Sequence, residues 1–260
     1  KRSKISPERM DKHISTYNES ALHDSLKAYY KGDDGLSEVA IKGYYVDVLR
    51  DGTIYEIQTA NLGAMKRKLS MLITDWPVVV VYPIPAVKWI TRIDDQGKGV
   101  YRRRSPKKGT GYDVFKELIY LAPLLPNPAI TIALAFVEVE EERCDDGKGS
   151  WRRKGVSIVD RKLLSIQSTQ MLSDPEEYRS FLQLDEKSPF TTADIKRKLS
   201  VSASLASRIA YFLRKTQMSE FIGKTERKHL YRWRAESDPI RSGFETVKGE
   251  RGETRKLYNA

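Results

Sequence analysis

The tightest constraint in the chain is a dipeptide. Asp51-Gly52 sits between two runs rich in β-branched and aromatic residues, 44–50 and 53–59. Asp-Gly in that setting predicts a two-residue type I′ turn, because such a turn needs φ > 0 at both central positions. The turn then dictates register: Arg50 opposes Thr53, Leu49 opposes Ile54, Val48 opposes Tyr55, Asp47 falls opposite Glu56, and Tyr45 opposite Gln58. Strand side chains alternate, so Asp47, Glu56 and Gln58 are expected on one face, with Val46, Val48, Tyr55 and Ile57 on the other. Two like charges across a strand pair destabilise it. A divalent cation is the simplest compensation, since Mg²⁺ (or Mn²⁺) takes one or two carboxylates and leaves its other positions to water and substrate phosphate. The plain alternative is a hairpin with two acids facing solvent.

Charge narrows the partners. Lys plus Arg outnumber Asp plus Glu by 46 to 35, a formal net charge of +11, which suits a polyanion such as nucleic acid better than an acidic small ligand. A merely soluble basic protein is the bland counterpart. Cys144 is the only cysteine, so an intramolecular disulfide and a Cys-rich zinc site are excluded, and a reducing, cytoplasmic setting is expected. No apolar segment follows Lys1-Arg2-Ser3-Lys4, so no signal peptide is read there. Residues 118–137 are uncharged over a membrane-spanning length. Pro123, Pro126 and Pro128 interrupt them, so they read as a helix end, a turn and a buried strand, with no membrane partner.

The segments around the hairpin have a definite order. Residues 1–14 read as a basic tail. Residues 15–30 carry Leu22, Leu26, Tyr29 and Tyr30 at helical spacing, with Glu19, His23 and Lys27 forming one polar stripe. A strand over 37–42 leads into the hairpin. Asn61 is placed to cap a helix carrying Leu62, Met65, Leu69 and Leu72, with Lys66, Arg67 and Lys68 alongside. Residues 78–82 are a continuous apolar run, the pattern of a buried central strand.

Helix, strand, hairpin, helix, buried strand, with Asp47 and then Glu56-Ile57-Gln58 nine residues on, resembles the core of the PD-(D/E)XK nuclease superfamily. The likeness covers roughly residues 15–82, and Gln58 stands where that motif usually has Lys. The resemblance implies a restriction-endonuclease-like mixed sheet flanked by helices, an α/β (α+β) fold. It implies that Asp47 and Glu56, with Glu19 from the preceding helix, hold Mg²⁺ or Mn²⁺. Gln58 would orient the attacking water without taking its proton, and Lys66 or Lys68 would supply the missing positive charge; a basic helix face that is simply solvated is the other reading.

Further along, residues 87–94 and 100–104 read as a second hairpin across Gln96-Gly97-Lys98-Gly99. It ends in Arg102, Arg103 and Arg104, followed by Lys107 and Lys108, a cluster suited to phosphates. Residues 113–121 read as an amphipathic helix, 131–139 as a strand, the acidic run 138–142 as a solvent edge, and 156–166 as another hairpin about Asp160-Arg161. Arg152 and Arg153 follow Trp151, an aromatic able to stack on a base. The polar region 167–173 is taken as a boundary, dividing a nuclease-like domain (15–170) from a second domain (171–234).

That second domain looks like a winged helix. Pro175 opens one helix, Thr191-Thr192-Ala193-Asp194 opens another with capping chemistry, and Leu205, Ile209, Phe212 and Leu213 mark a third. A basic β-wing follows, with Lys224 and Lys228, and in such a module Arg208 and Arg214 on the third helix would meet DNA. Winged helices also serve protein contacts. Residues 235–260 read as a charged tail.

The expected function is therefore a metal-dependent DNA endonuclease, with RNA a possible substrate and a homodimer a possible form. A catalytically inactive nuclease-like DNA-binding regulator is the rival, and the glutamine at 58 favours it. The superfamily resemblance implies a product with a 5′-phosphate.

Overall fold

The computed structural model describes residues 21–94, 96–226 and 228–234. Glu19, the stretches 1–14 and 235–260 read as tails, and positions 15–20 of the expected leading helix lie outside the described residues. The chain is a mixed α/β fold. A seven-stranded sheet in the order β1-β2-β3-β4-β6-β7, with β5 beside β4, is covered by helices on both faces. The strands are β1 (Leu36–Ile41), β2 (Tyr44–Arg50), β3 (Thr53–Ile57), β4 (Val78–Ile93), β5 (Gly99–Arg104), β6 (Ile130–Asp145) and β7 (Val156–Leu172). β3, β4 and β6 run parallel, and the remaining pairs are antiparallel.

Two apolar clusters sandwich the sheet. Helix α1 (Ala21–Lys31) buries Leu22, Leu26 and Tyr30 against Val48, Ile57, Val79, Val81 and the alanines and valines of β6. The opposite face, Ile54, Val78, Val80, Ile132 and Leu134, packs on α2 (Lys66–Leu72), α3 (Phe115–Leu118) and everything after β7. Those later elements are α4 (Pro175–Phe181), α5 (Thr192–Leu199), α6 (Ala203–Lys215) and the hairpin β8 (Ser219–Thr225) with β9 (Lys228–Trp233). Phe115 meets Phe212 edge to face at 5.0 Å, joining the C-terminal helices to the apolar cluster of the sheet.

The Asp-Gly turn forms as the dipeptide requires: Asp51 and Gly52 have φ of 50° and 70°, and Arg50 pairs with Thr53. The second hairpin also forms, closed by Asp94 N–H donating to the Lys98 carbonyl. Its first strand is longer than expected. β4 runs unbroken from Val78 through Pro83 and Pro85, which keep their places opposite Ala135 and Val137 of β6, and a bulge just after Pro85 leaves Ala86 as the extra residue.

Five local expectations are corrected. Residues 156–166 are not a hairpin: Asp160 and Arg161 continue one strand pairing with Glu142 and Glu141, and Asp160 Oδ1 accepts the Ala21 N–H at the start of α1. The polar run from 167 lies in the end of that strand, with 167–171 exposed because β7 lies at the sheet edge and Leu172 buried. The acidic run is no solvent edge, since β6 lies between β4 and β7. Glu141 is buried there among Arg143 at 2.5 Å, Arg161 at 3.1 Å and Lys88 at 3.8 Å. Asn61 does not cap a helix through its side chain; it adopts a left-handed conformation before a 3₁₀ turn at Leu62–Met65. The helix expected over 113–121 is a 3₁₀ turn at Gly111–Val114 followed by one α-turn, then further turns.

Thr191 and Asp194 form a reciprocal capping box at the start of α5. Thr191→Ala is expected to lower stability by about 1 kcal/mol, read as a shifted denaturation midpoint at unchanged slope.

Candidate functional site

The site forms where β2 and β3 part. Their ladder runs only from Arg50↔Thr53 to Val48↔Tyr55. Beyond it the Asp47 side chain, not its backbone, takes the strand partner's role: Oδ2 accepts the Ile57 N–H at 2.8 Å. Alternation breaks there. Val46 packs with Ile54 and Val80, whereas Val48 packs with Ile57 and Val81 on the other face. Thus the expectation that Val46 and Val48 share a face, with Asp47 and Glu56 as directly paired residues, is corrected; a carboxylate inserted into the ladder rotates the strand.

Glu56 leans toward α2. It is 2 % exposed, and its Oε2 accepts a 2.6 Å bond from Lys68 Nζ, which also donates to the Tyr45 carbonyl at 2.6 Å. Its other oxygen, Oε1, is buried with no well-aligned hydrogen-bond partner among the described residues. Burial, reinforced by the Asp47 charge, pushes the Glu56 carboxyl up to about 7 despite Lys68 and the nearby Asp47 backbone N–H. Asp47 moves the other way. Its burial would raise it, but hydrogen bonds from His23 and the Ile57 N–H, with the His23 and Lys68 charges, hold it below the usual range. Two neighbouring carboxyls pushed apart in acidity are an arrangement found in functional sites and in structural ion-pair networks alike, and they make this the candidate site.

His23 on α1 approaches from the opposite face. Its Nε2 lies 3.1 Å from the Ile57 carbonyl oxygen and 3.6 Å from Asp47 Oδ2. Sequence reasoning placed His23 on a polar stripe but not in the site; its i, i+4 relation to Glu19 was the available signal. The next residue of the stripe, Lys27, pairs instead with Glu38 at 2.6 Å. Gln58 is half-buried, and its amide donates to the Ala60 carbonyl rather than to either carboxylate. Lys66 is exposed. The cation placed at the carboxylates is therefore Lys68.

The fit to a divalent cation rests on the acids. Asp47 and Glu56 make the two-carboxylate set that Mg²⁺ uses alongside water and phosphate, and the orphaned Oε1 has coordination to spare. Among the described residues, no group of three or more His, Cys, Asp or Glu is arranged to hold a metal.

The remaining basic residues lie away from the carboxylates. After β5 the chain is stitched to β4 by Ser105 N–H to the Lys88 carbonyl and Gly109 N–H to the Pro85 carbonyl. Because β6 occupies the other edge of β4, exposed Lys107 and Lys108 follow the same edge as β3, about 15 Å beyond Ile57 at a strand's rise per residue. Arg102 is engaged, standing 4.1 Å over the Trp89 ring and donating to Glu140 at 2.8 Å, while Arg103 and Arg104 are exposed. Arg152 flanks Trp151, and Arg153 Nε donates to the Val156 carbonyl. Arg208 donates to the Lys116 carbonyl at 3.4 Å across the α3–α6 packing, which turns it toward the sheet domain. Arg214, Lys224 and Lys228 are exposed, and Lys228 lies 3.8 Å from Glu226. Among the described residues no helix is long and apolar enough to cross a membrane.

Comparison with known proteins gives kinship without an assigned activity. An uncharacterized protein of Treponema pallidum (strain Nichols) is 36 % identical over 158 residues, 60 % of this chain, and the match spans 63 % of that protein's length. No solved structure matches the chain. Residues 20–173, from α1 to the end of β7 and including Asp47, Glu56 and Lys68, match the family described as Domain of unknown function (DUF8091), to which the chain belongs.

Proposed function

We propose that this protein is a metal-dependent DNA endonuclease of the PD-(D/E)XK type, hydrolysing phosphodiester bonds at the carboxyl end of β3. The observation that carries the reading is Glu56: a buried carboxyl with one oxygen bonded to Lys68 and the other near the Asp47 backbone N–H but without a well-aligned donor among the described residues, beside an ionised Asp47. A buried carboxyl oxygen without an aligned donor is costly unless something binds it. Ligands of open parallel sheets lie beyond the carboxyl ends of the strands, and that is where β3 delivers it.

Asp47 and Glu56 would hold Mg²⁺ or Mn²⁺, with Glu19 a further candidate from the segment preceding α1. The bound cation would supply a nucleophilic water at neutral pH and neutralise charge on the phosphoryl oxygens. Lys68, an ammonium with three donors of which Glu56 and the Tyr45 carbonyl take two, keeps Glu56 oriented and sets positive charge at the scissile phosphate. His23 helps fix Asp47 in place. Cleavage breaks the P–O3′ bond, leaving a 5′-phosphate and a 3′-hydroxyl. Lys107 and Lys108, on the same edge of β4, would grip the backbone of the bound strand, and α6 with the β8–β9 wing would supply a second DNA contact. The lone Cys144 suits an intracellular enzyme.

Plasmid DNA incubated with the chain should be nicked or linearised in Mg²⁺ or Mn²⁺ and left intact in EDTA. Binding without cutting on supercoiled, relaxed, single-stranded and RNA substrates would replace this reading by that of a DNA-binding regulator, which the orientation of Gln58 toward Ala60 favours. Because Gln58 is turned to its own backbone, Gln58→Ala is expected to lower the cleavage rate by less than about tenfold, measured by single-turnover nicking.

A further inference from the structure

The outer ends of β4, β6 and β7 run on past Asp160, where α1 begins, and form an arm of the sheet with β5 along the edge of β4. At the end of the arm, between Asp145 and Val156, sits a loop carrying Trp151. Trp151 is 83 % exposed, the most exposed large apolar side chain among the described residues. An indole is usually buried at least in part, and leaving one in water wastes its large contact area.

The loop is ordered. Gly149 N–H donates to the Gly155 carbonyl, Lys154 N–H donates to the Trp151 carbonyl, and Asp146 accepts from Lys148 N–H and from the Ser157 hydroxyl. A Cβ on Gly149 would fall 1.9 Å from the Val156 carbonyl oxygen, so the chain closes here only because position 149 lacks a side chain. This hydrogen-bonded knot presents the ring to solvent. Lys148, Arg152, Arg153 and Lys154 belong to the same loop, and the Arg152 guanidinium lies 5.5 Å from the ring centroid.

We propose that the tip of this arm is a stacking site for an unpaired nucleic-acid base, with Trp151 as the platform and Arg152 as the neighbouring backbone cation. Aromatic faces accept any unstacked base, whereas a base inside a duplex offers its faces only to its neighbours. The run from Ile132, level with Glu56 through Val80, to Asp145 covers about 40 Å at a strand's rise of roughly 3.3 Å per residue. The inference rests on the endonuclease reading and deepens it: the substrate is DNA with a single-stranded portion about a dozen nucleotides from the cut, at roughly 3.4 Å per step.

The test is fluorescence anisotropy of the full chain in EDTA with two labelled DNAs of equal length, a blunt duplex and a duplex ending in a single-stranded arm. Trp151→Ala should weaken binding of the armed duplex about 5- to 50-fold and of the blunt duplex less than twofold. Trp151→Phe should stay within about threefold of the native chain. Since the ring is in solvent, thermal melting should not change. Equal affinities of native and Trp151→Ala proteins for the armed duplex, or equal losses on both DNAs, would overturn the proposal. So would a Trp151-dependent emission shift with anionic phosphatidylcholine–phosphatidylglycerol vesicles and none with the armed duplex, which assigns the tip to a membrane surface. A chain that shows the Trp151 effect yet cuts nothing retains the stacking site and loses the endonuclease; a chain that cuts without the effect does the reverse.

Discussion

Asp47→Asn and Glu56→Gln should each reduce single-turnover DNA cleavage in Mg²⁺ by about 10³-fold or more, some 4 kcal/mol of barrier, while leaving DNA affinity in EDTA within about threefold. Both changes are isosteric. The amide oxygen introduced at position 47 can still accept the Ile57 N–H, and the one introduced at position 56 can still accept from Lys68, so the local fold persists while one negative charge is lost. Mn²⁺ should restore part of the activity of the conservative variants more than Mg²⁺ does, because it tolerates a weaker ligand set. Full activity in both variants would remove the carboxylates from the chemistry and with them the proposed site.

The second large effect concerns Lys68. Glu56 has a carboxyl raised from an ordinary 4.5 to about 7 in the folded chain. The folded state therefore binds more protons than the unfolded state between those values, so native stability falls as pH rises from about 4.5 through 7, by roughly 3 kcal/mol in all. Above that window Glu56 is ionised, and among the described residues Lys68 is its cationic hydrogen-bond partner at 2.6 Å. Lys68→Ala leaves a buried, unpaired carboxylate, and at pH 8 it should cost about 2–3 kcal/mol; protonation of the acid limits the loss short of that of a fully broken buried pair. At pH 5.5, where Glu56 is neutral in both proteins, the difference should shrink to about 1 kcal/mol, the worth of a hydrogen bond. The double variant Lys68→Ala/Glu56→Gln should recover most of the loss at pH 8. Urea denaturation of the native, Lys68→Ala, Glu56→Gln and Lys68→Ala/Glu56→Gln proteins at the two pH values measures all of this, and a penalty for Lys68→Ala that is the same at both would mean that the charge of Glu56 is not what Lys68 balances.

Much of the architecture was legible in the residues because it is local. Asp51-Gly52 bends the chain in one way only, and the apolar spacing of α1, the continuous run at the start of β4 and the capping box of α5 each carry their own physics within a few positions. Where the readings went wrong, the deciding partner was distant. The stretch 156–166 contains nothing that forbids a turn at Asp160-Arg161, and it is extended because β6 pairs along its whole length. The acids of β6 look like a solvent edge until Lys88, Arg143 and Arg161 are brought around Glu141 from two strands and its own.

The site divides along the same line. From its sequence alone, this chain determines that Asp47 and Glu56 lie near each other across one tight turn, since a two-residue bend keeps its strands adjacent, although the ladder itself ends at Val48 and Tyr55. Tertiary structure decided which groups answer them: Lys68 from α2 rather than Lys66 or Gln58, and His23 from α1 through the gap where Asp47 displaces the ladder. Those choices depend on how two helices cross the sheet, a matter of packing between surfaces far apart in the chain, and no periodicity within either helix specifies which polar residue will end above a carboxylate.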